Sequence, residues 1–288
     1  VTNDDFETAR PELVQLAYAM LGSIAEAEEV VQDAWVKSTP VAQVQHPRAF
    51  LRTVVTRLAL DRLRSAKARR EVYPGPWLPE PVFTETPEDR SALAQAVQMA
   101  TLVVLEQLSP VERAAFLLRE VFDMEYAELA RLLDRSPPAV RQIVSRARRT
   151  VRARRRPSPD PAMHAVVLGQ LVQAVQTGDL AAATALLAPD CSFTSDGGGR
   201  VPAATRVVRG ADAVARLLVG LAHRFGDGVV PTLATLNHQP ALLLWRGDVL
   251  EAATVFTIAH GRLLDIHQLR NPDKLRHLHD TPARRPAR

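Results

Sequence analysis

Arg141 and Gln142 stand side by side in the string VRQIVSRARRTVR, and Ser145, Arg146 and Arg149 follow at one-turn spacings. Arginine and glutamine are the side chains whose paired polar groups make bidentate contacts to guanine and adenine edges. Four such residues and a serine hydroxyl on one helical face are equipment for reading duplex DNA. The element that must carry them is legible around them. Val140, Val144, Ala147 and Val151 recur with helical period on the other side. Ser136 is placed to cap this helix, and Pro137 and Pro138 fall in its first turn, where a missing backbone donor costs nothing. Just upstream, MEYAELARLL predicts a shorter helix packed through Tyr126, Leu129, Ala130 and Leu133, with a turn over 133–136. Together these make a helix-turn-helix, whose second helix meets base edges through its N-terminal half. The arginines from Arg152 to Arg156 are expected to follow the phosphate backbone without reading sequence.

The 288-residue chain has a formal net charge of only +4, but the charge is segregated. Residues 131–156 hold ten basic side chains against one acidic, and residues 48–70 hold eight against one. The second of these blocks, HPRAFLRTVVTRLALDRLRSAKARR, predicts a long helix. Phe50, Leu51, Val54, Val55, Leu58 and Leu63 form its buried side, and Arg48, Arg52, Arg57, Arg62, Arg64, Lys67, Arg69 and Arg70 its positive flank. The preceding STPVAQVQHP is polar, proline-bounded and reads as a loop. Beside a basic helix, such a loop is a place to hold an unpaired base. Two basic blocks of this density favour a phosphate-binding footprint over two solvated helix faces.

Acidic segments precede both blocks. SIAEAEEVVQDAWVK opens with Ser23 and Glu26 at capping-box spacing. Ala27, Val30, Val31, Ala34 and Trp35 then make one apolar stripe, and Glu28, Glu29, Gln32 and Asp33 ride on the opposite side. That acidic face is either solvated or a dock for a basic partner. Leu93, Ala96, Val97, Ala100, Val103, Val104 and Leu108 predict a single further helix, followed by one capped by Ser109 with Pro110 and Glu112 in its first turn.

A chain of this length makes two or three domains, and 47% apolar content gives each a core. One cysteine, Cys191, excludes an internal disulfide framework and fits a reducing cytosol. No apolar run approaches the roughly 18 residues of a membrane span. The expectation is a soluble, cytoplasmic protein with no membrane partner. YPGPWLPEPVF, residues 73–83, has four prolines and cannot be helical. It reads as a linker, yet Trp77, Leu78 and Phe83 would lose free energy standing in water. They are expected to dock. After RARRRPSPDP, a charged and proline-rich hinge, come a helix, a break at Gly178-Asp179 and a second helix. DGGGR reads as a turn, since glycine tolerates positive φ. Residues 210–221 look helical. Strand runs over 241–270 then turn at Arg246-Gly247-Asp248 and His260-Gly261-Arg262, an antiparallel meander. The fold class predicted is multidomain, two all-α helical domains followed by an α+β cone.

AEEVVQDAWVK, AFLRTVVTRLALDRLRS, LSPVERAAFLLREVFDMEYAELARLL and VRQIVSRARRTVR resemble conserved regions 2 and 4 of the extracytoplasmic-function (ECF) sigma factors of bacterial RNA polymerase. GPWLPEP, DGGGR and NPDKL further resemble the subgroup with a fused SnoaL-like domain, where the group's D-G-G-G-K has Lys in place of Arg200. The resemblance implies sigma region 2 over 1–71, a linker over 72–90, and the helix-turn-helix of sigma region 4 over 91–156. A second linker over 157–162 and a SnoaL-like regulatory domain over 163–288 complete the order. It implies that Glu28, Glu29, Gln32 and Asp33 bind core RNA polymerase. Arg48, Arg52, Arg57, Asp61, Arg62 and Arg64 would recognise and open the −10 element, and Arg141, Gln142, Ser145, Arg146 and Arg149 would read the −35 element. It further implies regulation through the tail, with no separate anti-sigma factor required. Trp77, Leu78, Pro79, Glu80 and Pro81 of the linker, Asp196, Gly197, Gly198 and Gly199, and Asn271, Pro272, Asp273, Lys274 and Leu275 are the linker and tail residues that such regulation would use. No catalytic residue, cofactor or metal is expected. Asp196, His238, Asp265 and His267 are the groups a proton-transferring cone would use, and spacing alone does not pair them. A helix-turn-helix regulator with a ligand-sensing domain, and an isomerase fused to a DNA-binding module, are the competing readings.

Overall fold

The computed structural model describes the backbone of residues 1–41, 44–84, 92–154 and 161–279, and the side chains of all of these except 66–71, 92–93, 154 and 161–163. The side chains of Lys67, Arg69, Arg70, Leu93 and Arg154, and Arg155 and Arg156 entirely, lie outside the described residues, as do 85–90 of the first linker, residue 91, and 157–160 of the second linker. Two compact units result, Val1–Val72 with Arg90–Arg155, and Tyr73–Asp89 with Arg156–Arg288.

The first unit is helical. α1 (Asn3–Leu21), α2 (Ile24–Ser38) and α3 (Pro47–Glu71) pack mutually. Thr2 and Asp5 cap α1 reciprocally, and Gly22, at φ 71°, ends it. Ser23 Oγ accepts from Glu26 N at the start of α2. Ala27, Val30, Val31 and Ala34 are buried, while Trp35 is half-buried and stacks on Phe6 with ring centroids 4.7 Å apart. Residues 92–108 depart from the single helix that their spacing predicts. They form α4 (Ala92–Ala96) and α5 (Met99–Leu105), parted where Gln98 takes ψ 139°. In one continuous helix Met99 would project away from the Ala94–Val97 side; the break turns it inward, where it is fully buried.

α6 (Pro110–Glu120) begins with the expected box, Ser109 and Glu112 exchanging hydrogen bonds. α7 (Tyr126–Leu133) ends at Asp134, whose φ of 53° makes the turn into α8 (Pro137–Arg154). Arg113 ties these helices to α1. It is buried, and donates to the Leu105 and Met20 carbonyls and to Glu106 Oε1 at 2.7 Å. A buried guanidinium is tolerated only when its donors are met in this way.

The second unit places α9 (Pro161–Thr177), α10 (Leu180–Ala185) and α11 (Ala211–Phe225) with a six-stranded sheet. Its strands are β1 (Leu187–Asp196), β2 (Val208–Arg209), β3 (Val229–Leu236), β4 (Gln239–Arg246), β5 (Val249–Ala259) and β6 (Arg262–Leu269), in the order β2-β1-β6-β5-β4-β3. β1 and β6 run parallel and every other pair antiparallel. The meander of β4, β5 and β6 has the turns read from the sequence. β1, β2 and β3 are additions: LAPDCSFTSD carries no strict polar alternation, because eight of its ten residues are buried. Leu168 and Leu171 of α9, Val214 of α11 and Phe193, Phe256 and Ile266 of the sheet share one core. α12 (Pro272–His279) packs against β5.

Candidate functional site

The helix-turn-helix presents the face its sequence promises. Val140, Val144, Ala147 and Val151 are buried, and Arg141, Gln142, Ser145, Arg146 and Arg149 are all exposed. Arg141 lies over the Tyr126 ring at 5.5 Å and Arg119 over the same ring at 4.9 Å. Tyr126 is therefore a half-buried platform for two arginines more than a core residue, because its ring face attracts cations. Arg148, which the sequence did not single out, pairs with Glu120 through two bonds, the shorter 2.5 Å, and fixes α8 on α6.

Glu28, Glu29, Gln32 and Asp33 are exposed on α2. Arg62 of α3 reaches Glu29 at 2.6 Å and Asp33 at 3.5 Å, so the acidic face and the basic flank meet along one line. Arg48, Arg57, Asp61 and Arg64 are exposed, the last two paired at 2.9 Å. Arg52 differs from these. It is half-buried, bonded to Glu12 at 2.5 Å, and its guanidinium lies 5.1 Å from the Phe122 ring centre.

The linker is not free in solution. Residues 73–84 run as an extended strap on the second unit, held at both ends. At one end the Asp196 carboxylate, fully buried, gathers four donors. Oδ1 accepts from the Tyr73 hydroxyl at 2.7 Å and from Gly198 N at 2.9 Å; Oδ2 accepts from Leu78 N at 2.9 Å and from Lys274 Nζ at 2.8 Å. Lys274, 7% exposed, also donates to the Leu78 carbonyl and lies 3.9 Å from the Trp77 ring centre. A buried charge persists where it is paired and hydrogen-bonded in this way. Burial, with the Asp196 carboxylate beside it, pushes the Tyr73 phenol above its usual range, so it remains a donor. Leu78 is itself fully buried, which contributes about 1.5–3 kcal/mol; Pro79 and Pro81 are buried and Glu80 is half-buried.

At the other end the strap joins the sheet. Asn237 N donates to the Val82 carbonyl at 2.9 Å, Val82 N to Asn237 Oδ1 at 3.0 Å, and Thr84 N to the Thr235 carbonyl at 3.2 Å. Phe83 bridges Leu236 antiparallel, extending the edge of β3. His277 Nε2 of α12 donates to the Pro81 carbonyl between the two ends.

The glycine run explains itself at this seat. A Cβ on Gly198, at φ 62°, would fall 2.2 Å from Asn271 Nδ2, and one on Gly199, at φ 69°, 2.6 Å from Pro74 Cγ. On Gly197 it would strike the Val201 carbonyl at 2.3 Å. Asn271 in turn donates to the Tyr73 hydroxyl at 3.0 Å and accepts from Asp273 N at 3.1 Å. Gly198→Ala is expected to destabilise this unit by more than about 1 kcal/mol, because the positive φ and the clash with Asn271 are both incompatible with a Cβ, read as a lowered urea midpoint. Arg200 pairs with Asp273 at 3.4 Å, both exposed, so that contact carries little. Pro272 is exposed, and Leu275 is buried.

The four proton-transfer candidates do not converge. Asp196 is consumed by the strap. His238 lies in the β3–β4 turn, its backbone N bonded to Thr84 Oγ1. Asp265 accepts from Ser192 Oγ at 2.7 Å. By strand alternation Asp265 and His267 point to the sheet face opposite Ile266, which lies in the helix-covered core. His267 is 5% exposed and its Nδ1 has no hydrogen-bond partner. Burial holds its imidazolium form unfavourable, Asp265 offsetting this only in part, so its pKa lies below the ordinary value. The unfolded chain takes up a proton near pH 6.5. Stability contributed by the neutral ring is therefore complete above that pH and is lost as pH falls toward the lower folded value. The thermal midpoint of the chain is expected to fall between pH 7 and 5.5 more steeply than that of a His267→Leu variant. Among the described residues no cluster of His, Cys, Asp and Glu could hold a metal ion, and no helix is long and apolar enough to cross a membrane.

Comparison with known proteins agrees with this architecture. The families described as Sigma-70 region 2 and Sigma-70, region 4 match residues 6–69 and 98–151. The chain is 40% identical over 290 residues to the ECF RNA polymerase sigma factor SigJ of Mycobacterium tuberculosis, covering 94% of this chain and 92% of that protein. It is 33% identical to the probable ECF RNA polymerase sigma factor SigI of the same species, covering 92% of each. The crystal structure of M. tuberculosis SigJ superposes with a TM-score of 0.77 at 36% identity, covering 96% of this chain and 98% of that one. Two sigma modules in order, a DNA-reading helix and a mixed sheet at the C-terminus place the chain in the family of ECF RNA polymerase sigma factors, which direct promoter-specific transcription initiation and are not enzymes.

Proposed function

We propose that the first unit divides promoter recognition between its exposed faces while the second unit governs it in cis through the strap. Glu28, Glu29, Gln32 and Asp33 bind core RNA polymerase. The flank Arg48, Arg57, Asp61, Arg62 and Arg64, with Arg52 behind it, takes the −10 element, and Arg141, Gln142, Ser145, Arg146 and Arg149 take the −35 element. The modules are sigma region 2 over 1–71, region 4 over 91–156 and the regulatory domain over 163–288. The protein works in the cytoplasm, where its polymerase is, and needs no separate anti-sigma factor.

The observation that carries the cis reading is the Asp196 carboxylate, bonded at once to Tyr73, to the Leu78 amide and to Lys274. Four prolines keep the strap extended, so less chain entropy is lost on seating it. Tethering gives the contact a high effective concentration. The test is transcription by purified core polymerase with the full chain, with a chain ended at residue 160, and with Trp77→Ala/Leu78→Ala. A promoter-dependent product from the full chain, and a several-fold difference in output for the other two, is the expected result. Equal output from all three removes cis control.

A further inference from the structure

We infer that the second unit holds a binding site for a largely apolar organic acid, and that its occupancy is transmitted to the strap. A half-open cavity of about 770 Å³ lies between α9, α11 and the helix-covered face of the sheet. Leu171, Val175, Leu218, Phe225, Leu244 and Phe256 form its apolar walls. Phe225 is exposed at 46%, an aromatic surface that water does not favour. The volume suits a ligand of about 20 non-hydrogen atoms.

The polar groups of the cavity are few and gathered. Thr254 and Gln268 are register partners on β5 and β6, and both line it, as does Arg270. Ser195 Oγ donates to Gln268 Oε1 at 3.4 Å, which leaves the amide NH2 as a donor. Arg270 spends one nitrogen on the Pro202 carbonyl, at 2.6 Å, and keeps further N–H groups. Glu251, also on the lining, is tied to Arg246 at 2.6 Å. Asp227 and His223 lie on the lining too. Donors from Gln268 and Arg270 select an acceptor, and the guanidinium fork selects a carboxylate. The chain belongs to a family of non-enzymatic factors, and the site is assigned binding alone.

This polar end stands back to back with the strap's anchor. Ser195 meets Gln268 on the cavity side of β1 and β6, and the next residue, Asp196, holds Leu78 on the other. The Asp196 carbonyl accepts from both Arg270 N, at 2.8 Å, and Asn271 N, at 3.0 Å. Three residues further on is Lys274. A ligand that repositions Gln268 or Arg270 therefore shifts the peptide to which the strap's carboxylate belongs. The transmission rests on the strap acting as proposed above; the binding site does not.

The test uses the full chain and two fluorescent probes of similar body. One is the anion 8-anilinonaphthalene-1-sulfonate, and the other the neutral N-phenyl-1-naphthylamine. One saturable equivalent of each is expected, weakened at least tenfold by Leu218→Trp, which fills the cavity. Arg270→Met, at the polar end, is expected to weaken the anion at least threefold while sparing the neutral probe, and it guards against misfolding of the first variant. The anion is further expected to change amide exchange at Leu78 and Val82 at least threefold. Absence of saturable binding, or binding indifferent to Leu218→Trp in a chain of unchanged thermal midpoint, overturns the site. Equal losses for both probes in Arg270→Met overturn the acid preference. Binding with exchange unchanged overturns the transmission. A strap already unprotected before any probe is added would strike at the cis reading instead, while the fluorescence arm still decides the cavity.

Discussion

Replacing Lys274 by methionine is expected to destabilise the C-terminal unit by about 3–5 kcal/mol. Methionine keeps an apolar stem of similar length but removes the only basic side chain bonded to Asp196 among the described residues. Taking one partner from a buried pair leaves an uncompensated charge, and that accounts for most of the cost. The hydroxyl of Tyr73 and the amides of Leu78 and Gly198 remain as donors, which sets the expectation at the lower end. The double variant Asp196→Asn/Lys274→Met removes both charges and is expected to recover a large part of the loss. Urea denaturation of the three chains measures this, and amide exchange at Leu78 and Val82 shows whether the strap leaves with the charge. A Lys274→Met chain as stable as the parent, with its strap still protected, would deny Lys274 an anchoring role.

Substituting Arg141 and Gln142 by alanine is expected to abolish most discrimination of the −35 element. Each bidentate contact discriminates by about 1–3 kcal/mol, so each loss weakens selection roughly 5- to 150-fold. Arg141 is also held over Tyr126, so Tyr126→Leu should reproduce part of the Arg141 defect by loosening its approach. Arg152→Ala, in the stretch expected to follow the phosphate backbone, is expected to weaken binding to all sequences alike and to reduce its salt dependence. Transcription from promoters with intact and scrambled −35 elements, over a salt series, separates the two behaviours. If the alanine pair spares the preference for the intact element, these side chains do not read it.

The helical unit was the more legible half. A helix that buries one face repeats every three to four residues, so Val140, Val144, Ala147 and Val151 declared both the element and its orientation. Caps are equally local, which is why Ser109 with Glu112, and Ser136, were readable. Where the pattern misled, at Gln98, the cause was a break that rotates Met99 inward, and an apolar period does not record a change of phase. β1 escaped notice because a parallel pairing with β6 buries both of its faces and erases alternation.

The strap divides along the same line. Four prolines and three stranded apolar side chains were enough to predict an extended segment that docks. Which residues receive it was another matter, since the contacts span 118 positions from Leu78 to Asp196 and 196 from Leu78 to Lys274. Sequence spacing carries no information over such separations. DGGGR and NPDKL could be picked out as strings, but their chemistry was invisible. Asp196 looked like a proton-transfer candidate until the fold surrounded it with four donors. Side-chain type and period thus determined the helices, the exposed arginine-rich face of α8 and the need for a docked linker, because those follow from local geometry and the cost of exposing apolar surface. Only the tertiary structure decided that Asp196 binds instead of reacting, that Arg62 joins the acidic face to the basic flank, and that a cavity backs onto the strap's anchor. Each depends on strands and helices brought together from distant parts of the chain.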